Sequence, residues 1–176
     1  MHNLFADCAY FEPADKAAAM AFRAMLEGRA VILIIDAQKD YFDEDRLFAR
    51  QASQDIRERF PAIGQRIADF SAGIDEHAAT TIPKTWMIHL WNRQLRAIGE
   101  WGITSLYDEL VAPVGPRDHV IGKKEFSPFY GTSLHDHLRG AGHDTIFIAG
   151  GVLEDCIAAA LRMALREHGF NIVLMP

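Results

Sequence analysis

Cysteine is nearly absent from this sequence: Cys8 and Cys156 stand far apart, and neither belongs to a CxxC pair. That scarcity argues against a disulfide framework and against a cysteine-built zinc site, and it suits a reducing compartment. No apolar run approaches the roughly 20 residues that a membrane-spanning helix needs. The opening "MHNLFADCAYFEPADK" lacks the basic-then-apolar order of a secretory signal, so the expectation is a cytoplasmic protein with no membrane partner. Positive charge is also in deficit, with 18 Lys and Arg against 24 Asp and Glu and a net charge of -6. That balance argues against nucleic acid as the main partner. Internal repeats, low-complexity tracts and linkers are missing, and no GxGxxG follows the first strand, which leaves a nucleotide-binding fold without its phosphate loop. What remains is the mixture of a soluble globular chain: 49% hydrophobic and 24% charged residues in 176, one domain of ordinary size.

The strongest pattern is "AVILIID", Ala30 to Asp36. A continuous apolar, mostly β-branched run of this length reads as a strand buried on both faces of a parallel sheet. Before it, "EPADKAAAMAFRAMLEG" reads as a helix with Pro13 near its first turn and Gly28 just past its end. After it, Ile56, Phe60, Ile63, Ile67 and Phe70 recur at helical spacing, interrupted by Pro61. "TIPKTWMIHL" and "DHVIGKK" are the second and third strands. "TSLHDHLRGAG" is a compact helix with Thr132 or Ser133 as its cap and Gly140 or Gly142 as its stop. "DTIFIAG" is the fourth strand, Cys156 to His168 a helix ended by Gly169, and "FNIVLM" the fifth strand. This rhythm predicts an α/β fold, a Rossmann-like three-layer α/β/α sandwich with a mainly parallel sheet.

Ligands of such sheets bind outside the carboxyl ends of the strands. Three of those ends carry chemistry: Asp36, then Lys123 or Lys124, then Cys156. Each has an ordinary reading: a turn cap, a solvated surface charge, and a small hydrophobe packing a helix on the sheet. Together they divide a reaction among them. A lysine and a helix N-terminus lower a thiol pKa, and an aspartate accepts the thiol proton and later returns it to a leaving amine. The double glycine Gly150-Gly151 would free the turn before Cys156 to aim backbone amides at a developing oxyanion.

"DAQKDYF" (Asp36 to Phe42), "KKEFSPFYGTSLHDHLR" (Lys123 to Arg139) and "GGVLEDC" (Gly150 to Cys156) resemble the isochorismatase-like cysteine hydrolases. The order and spacing match from about Ala30 to the last strand. The resemblance implies an Asp36-Lys123-Cys156 triad that hydrolyses small amide or carbamoyl compounds through a thioester, with no cofactor. It selects Lys123 over Lys124 by the spacing to Ser127. It implies a cis peptide between Gly151 and Val152, and oxyanion donors on the backbone N–H groups of Val152 and Cys156. Gln38, Tyr41, Phe42, His89, Trp91 and Phe129 are the expected pocket residues; Arg93 and Arg96, which could meet a carboxylate, are expected at the surface instead.

Some features depart from that pattern. No histidine lies between Gln38 and Glu76, so the metal site of the nicotinamidase branch is expected to be absent. Related chains continue past the fifth strand, whereas this sequence stops at "VLMP", so the expectation is a version of the fold shortened at the C-terminus. The expected organisation is a helical extension over 1–29 and a hydrolase domain over 30–176. Met20, Phe22, Met25 and Leu26 give that extension an apolar face, either for its own sheet or for a second copy in a homo-oligomer. The alternatives are hydrolysis of an enol ether, as in isochorismatases proper, and a non-catalytic relative serving as a binding or assembly module.

Overall fold

The structure, a computed structural model, describes residues 14–43, 53–76, 82–90, 110–150 and 153–175. The run AVILII forms β1 (Ala30–Ile35), buried at every position. It is central because only a strand flanked on both edges and covered on both faces can bury six apolar residues in a row. β2 (Lys84–His89) and β4 (Thr145–Gly150) flank it, β3 (His119–Lys123) lies beyond β2, and β5 (Asn171–Leu174) beyond β4. The order is β3-β2-β1-β4-β5, and all four pairings between these strands are parallel.

Alternation along β1 divides the core into two layers. Ile32 and Ile34, with Trp86 and Ile88 of β2, pack against α1 (Ala14–Leu26) through Ala21 and Ala24 and against the helix Phe60–Glu76 through Ile67. Val31, Leu33 and Ile35, with Met87, Ile146 and Ile148, pack against the helix Leu134–Gly140 through Leu134 and Leu138 and against Ala158–Arg166 through Ala160 and Ala164. Helices therefore cover both faces, the three-layer sandwich that the strand-helix rhythm predicts. α1 lies on its own sheet: Ala21 and Ala24 are buried and Met25 packs on the core, while Met20, Phe22 and Leu26 stay exposed.

Local chemistry sets several boundaries. The predicted interruption at Pro61 is a break between a short helix, Gln54–Arg57, and the longer Phe60–Glu76. Pro61 falls in the first turn of the longer one, where its missing N–H costs no hydrogen bond. At the helix Leu134–Gly140 it is Thr132 whose hydroxyl accepts the Leu134 N–H (3.2 Å) and donates to the Pro128 carbonyl (2.5 Å), while Ser133 makes no side-chain cap. Gly142, at φ +80°, is the left-handed residue past that helix.

One boundary differs from expectation. Cys156 does not open an α-helix; it lies in a π-type turn, Leu153–Ile157, that runs on into Ala158–Arg166. Wide turns of this kind recur at functional sites. The chain reaches that turn through Gly150, which pairs with Ile35 at the end of β1. A Cβ on Gly150 would stand 2.7 Å from the Ile35 carbonyl oxygen and 2.8 Å from Ile157 Cδ1, so only glycine allows this approach. β1 and β4 also mark the point where the strand order reverses, and the crevice of an open parallel sheet forms there.

Candidate active site

Asp36 follows β1 directly. Its φ of +56° puts an L-residue in the left-handed region, and its N–H donates to the Met87 carbonyl at 2.9 Å. Such backbone strain concentrates at functional sites. Lys123 ends β3 with 1% of its surface exposed, while Lys124, on the opposite face by alternation, lies in solvent. The Lys123 ammonium sits 2.9 Å from Asp36 Oδ2 and 3.5 Å from Cys156 Sγ, and it donates to the Glu125 and Phe126 carbonyls at 3.2 and 3.3 Å. Asp36 Oδ1 is buried and, among the described residues, has no hydrogen-bond partner. The structure thus brings Asp36, Lys123 and Cys156 together across three strands of one sheet edge.

The electrostatics reverse one expectation. The sequence predicts a thiol pKa lowered by lysine and helix end; here burial pushes the Cys156 thiol up to about 12, and the Asp36 charge adds to that. Lys123 opposes the rise and offsets only part of it. The physical reason is that a buried sulfur loses more hydration than one shared ammonium returns, and the helix end that was to assist is a π-turn. Cys156 is thus held as a protonated thiol beside the Asp36 side chain.

The expected pocket residues separate into groups. Gln38 is buried; its Oε1 accepts the His89 N–H at 2.6 Å and its Nε2 donates to the His89 carbonyl at 3.4 Å. The Tyr41 hydroxyl lies 3.2 Å from His89 Nδ1. Burial, followed by the nearby Lys123 charge, pushes the His89 pKa down to about 4. Phe42 and Phe129 are buried, one in each core layer. Phe42 meets Phe60 edge-on at 6.2 Å and covers Gly64, where a Cβ would fall 2.8 Å from its own Cβ. Phe129 stacks on His168 and Phe170, at 5.0 and 5.9 Å, in the opposite core layer. Aromatics beside a motif look alike in sequence whether they line a pocket or fill a core. Trp91, Arg93, Arg96, Val152, the Gly151–Val152 peptide and Cys8 lie outside the described residues. Of the two expected oxyanion donors, the Cys156 N–H belongs to the π-turn.

Sequence reasoning missed a second buried lysine. Lys84, at the start of β2, meets Asp75 Oδ1 at 2.5 Å and Asp118 Oδ2 at 3.5 Å. The same Asp118 oxygen accepts the Trp86 indole N–H and the Gly115 N–H, each at 2.9 Å. The available signal was a lysine inside an otherwise apolar strand run, "PKTWMI". Among the described residues, no group of three or more His, Cys, Asp or Glu side chains is placed to hold a metal ion.

Comparison with known proteins agrees with the architecture. The family model described as the isochorismatase domain matches residues 30–176. The chain is similar to the ureidoacrylate amidohydrolase RutB of Methylobacterium radiotolerans, 37% identical over 83 residues, 47% of this chain and 31% of that protein. It is also similar to the streptothricin hydrolase of Streptomyces noursei, 43% identical over 68 residues, 38% of this chain and 24% of that one. These matches span about a third or less of the relatives' own lengths. Among solved structures, the N-carbamoylsarcosine amidase of Thermoplasma acidophilum shares the fold with a TM-score of 0.59 at 18% identity, covering 84% of this chain and 81% of its own.

Proposed function

Because the chain belongs to the isochorismatase family, we propose that Asp36, Lys123 and Cys156 form the catalytic centre of an amidohydrolase that cleaves a C–N bond in a small amide or carbamoyl compound. The observation that carries this reading is the Lys123 ammonium set between the Asp36 carboxylate, at 2.9 Å, and the Cys156 sulfur, at 3.5 Å. The names of the relatives, a ureidoacrylate amidohydrolase and a carbamoylsarcosine amidase among them, support the same reaction class.

In this reading the thiol gives up its proton only as the sulfur attacks. Asp36 takes the proton while the S–C bond forms, its negative charge passing through sulfur to the carbonyl oxygen, and Lys123 steadies the charge that builds on sulfur as the proton leaves. The carbonyl oxygen becomes an oxyanion facing backbone N–H groups, with that of Cys156 one donor and Val152 the other. Asp36 then protonates the departing nitrogen as the C–N bond breaks, leaving a thioester that water hydrolyses with Asp36 as base. A protonated resting thiol fits this order, since attack and proton transfer coincide and the free enzyme carries no exposed thiolate.

The test is a screen of small amides and carbamoyl compounds for ammonia release, with Cys156→Ala as the control. The expected result is release by the wild type alone, with an acyl adduct on Cys156 seen by mass spectrometry on rapid quenching. Equal release by the Ala variant would overturn the assignment. The same reading includes a cytoplasmic working place, from the cysteine scarcity, and self-association through the side of α1 that exposes Met20, Phe22 and Leu26. Solution mass measured by light scattering, with Phe22→Glu as the perturbing variant, tests the second of these.

A further inference from the structure

The Asp36–Lys123 ion pair joins the ends of β1 and β3, which are not neighbours, because β2 lies between them. The separation of the two charges therefore depends on how the end of β2 is held. Its last residue is His89, and bonds reach it from both sides. From the β1 side, Gln38 engages both backbone groups of His89, at 2.6 and 3.4 Å, and the Tyr41 hydroxyl meets Nδ1 at 3.2 Å. Gln38 and Tyr41 both belong to the segment that begins with Asp36. From the β3 side, His89 pairs in register with Lys123, and its ring donates to the Lys124 carbonyl. The next residue, Leu90, donates its N–H to the Lys123 carbonyl at 2.7 Å.

We infer that His89 is a positioning residue of the proposed centre: its ring and backbone tie the Asp36 segment to the end of β3, and so hold Lys123 between Asp36 and Cys156. The role requires a neutral ring. Only a neutral imidazole accepts from Tyr41 at one nitrogen and donates to a carbonyl from the other. Burial and the Lys123 charge keep it neutral, with its pKa down at about 4. A charged ring would lose the Tyr41 hydroxyl as a donor and add a second cation beside Lys123.

This inference rests on the catalytic reading of the triad, but its test needs no substrate. The measurement is the rate at which iodoacetamide alkylates Cys156 in the full chain at pH 8.5, followed at the peptide level by mass spectrometry. If His89 holds Lys123 beside the sulfur, His89→Phe lets the ammonium retreat, the thiol pKa rises further, and alkylation slows by about tenfold for each unit of that rise. Tyr41→Phe, which removes one tie, slows it by about threefold and remains informative where the histidine variant fails to fold. His89→Asn, with an amide oxygen near the Nδ1 position, recovers most of the rate. A ring that merely seals the site predicts the opposite sign, since its loss would hydrate the sulfur and speed alkylation. Faster or unchanged alkylation in His89→Phe overturns the inference. If no amide is hydrolysed while the variants slow alkylation as stated, the hydrolase reading fails and the positioning role stands.

Discussion

Two lysines are buried to the same degree at opposite ends of one sheet, and they have opposite surroundings. Lys84, at the amino end of β2, is held by Asp75 and Asp118, and Asp118 is itself satisfied by Trp86 and Gly115. Lys123, at the carboxyl end of β3, shares one carboxylate with a thiol that burial keeps protonated, and that carboxylate, on a strained backbone, keeps an oxygen with no partner among the described residues. No side-chain atom of Lys84, Asp75 or Asp118 is both buried and unpartnered among the described residues, and this first arrangement serves to fasten the sheet. The second has an acceptor, a proton and a nucleophile within reach of one cation. What separates the two ends is an open carboxylate oxygen beside both a cation and a thiol, a combination absent around Lys84 among the described residues.

Exchanging each lysine for methionine sharpens that contrast most. Lys123→Met is expected to cut kcat on a substrate by at least about a thousandfold, the scale of losing one member of a cooperating set. Lys84→Met is expected to leave kcat within about twofold and to destabilise by about 3 kcal/mol, because Asp118 stays buried without its cation. In a chain of this size that is a fall in Tm of roughly 10 °C. Steady-state kinetics and thermal unfolding of the two variants decide the matter. A Lys84 variant that is dead yet fully stable would erase the distinction.

The next test concerns space at the reactive end. Gly150→Ala brings a methyl group against the Ile35 carbonyl and Ile157, which no flexible side chain can relieve. The expected cost is about 1–3 kcal/mol, with activity falling further than stability, since the shift lands on the turn that carries Cys156. Wild-type activity in this variant would show more slack than the geometry allows.

A smaller effect isolates charge. Asp36→Asn removes the negative charge that helps hold the thiol pKa up, so alkylation of Cys156 near pH 8 should quicken several-fold while hydrolysis disappears. The two readouts move in opposite directions. A parallel loss would mean that the variant had simply disordered the site.

The last test is the pH dependence of stability, and its sign follows from which state holds the proton. The Cys156 thiol titrates near 12 in the folded chain against an ordinary 9.0, so the unfolded chain loses that proton first and stability declines from about pH 9 toward 12. Cys156→Ala should flatten that slope. His89 is displaced the other way, to about 4 from 6.5, so the unfolded chain takes up the proton first and stability falls as the pH drops from 6.5 toward 4. His137 and His143, lowered chiefly by burial, add to the same acid slope from the other end of the sheet. Tm measured from pH 4 to 11 checks both limbs.

The strands and most helix limits were legible in the sequence, because β-branched runs such as "VILII", glycine stops and proline starts act locally. Asp36, Cys156 and one of Lys123 and Lys124 could be picked out because they stand where strands finish, the family resemblance chose Lys123, and the structure brings those three ends together. The sign of the thiol pKa could not be read, since it depends on how much water the folded chain removes from one sulfur. The π-turn was hidden for a related reason: "LEDCIAAALRMAL" has the same apolar spacing whether its first turn is wide or regular. Lys84 was passed over because a single charge in an apolar run carries no hint of Asp75 and Asp118, distant in sequence. Which aromatics beside the motifs face a pocket was not legible either, because only packing tells a pocket wall from a core.

The order of the strands also bears on how the chain is made. β1, apolar along its whole length, lies between β2 and β4, and Arg29 at its start forms an ion pair with Asp144, 115 residues further on. During synthesis the segments of β1, β2 and β3 emerge first and can associate, which leaves the outer edge of Ala30–Ile35 bare until Thr145–Gly150 arrives. An open, uncharged β-branched edge of this kind is a template for pairing with other chains. The nascent protein thus passes through a long interval in which the sheet's best strand is its most adhesive one. The segment that closes that edge is the same one that delivers Cys156, so the chain sets its thiol beside Lys123 and loses its sticky edge in a single step.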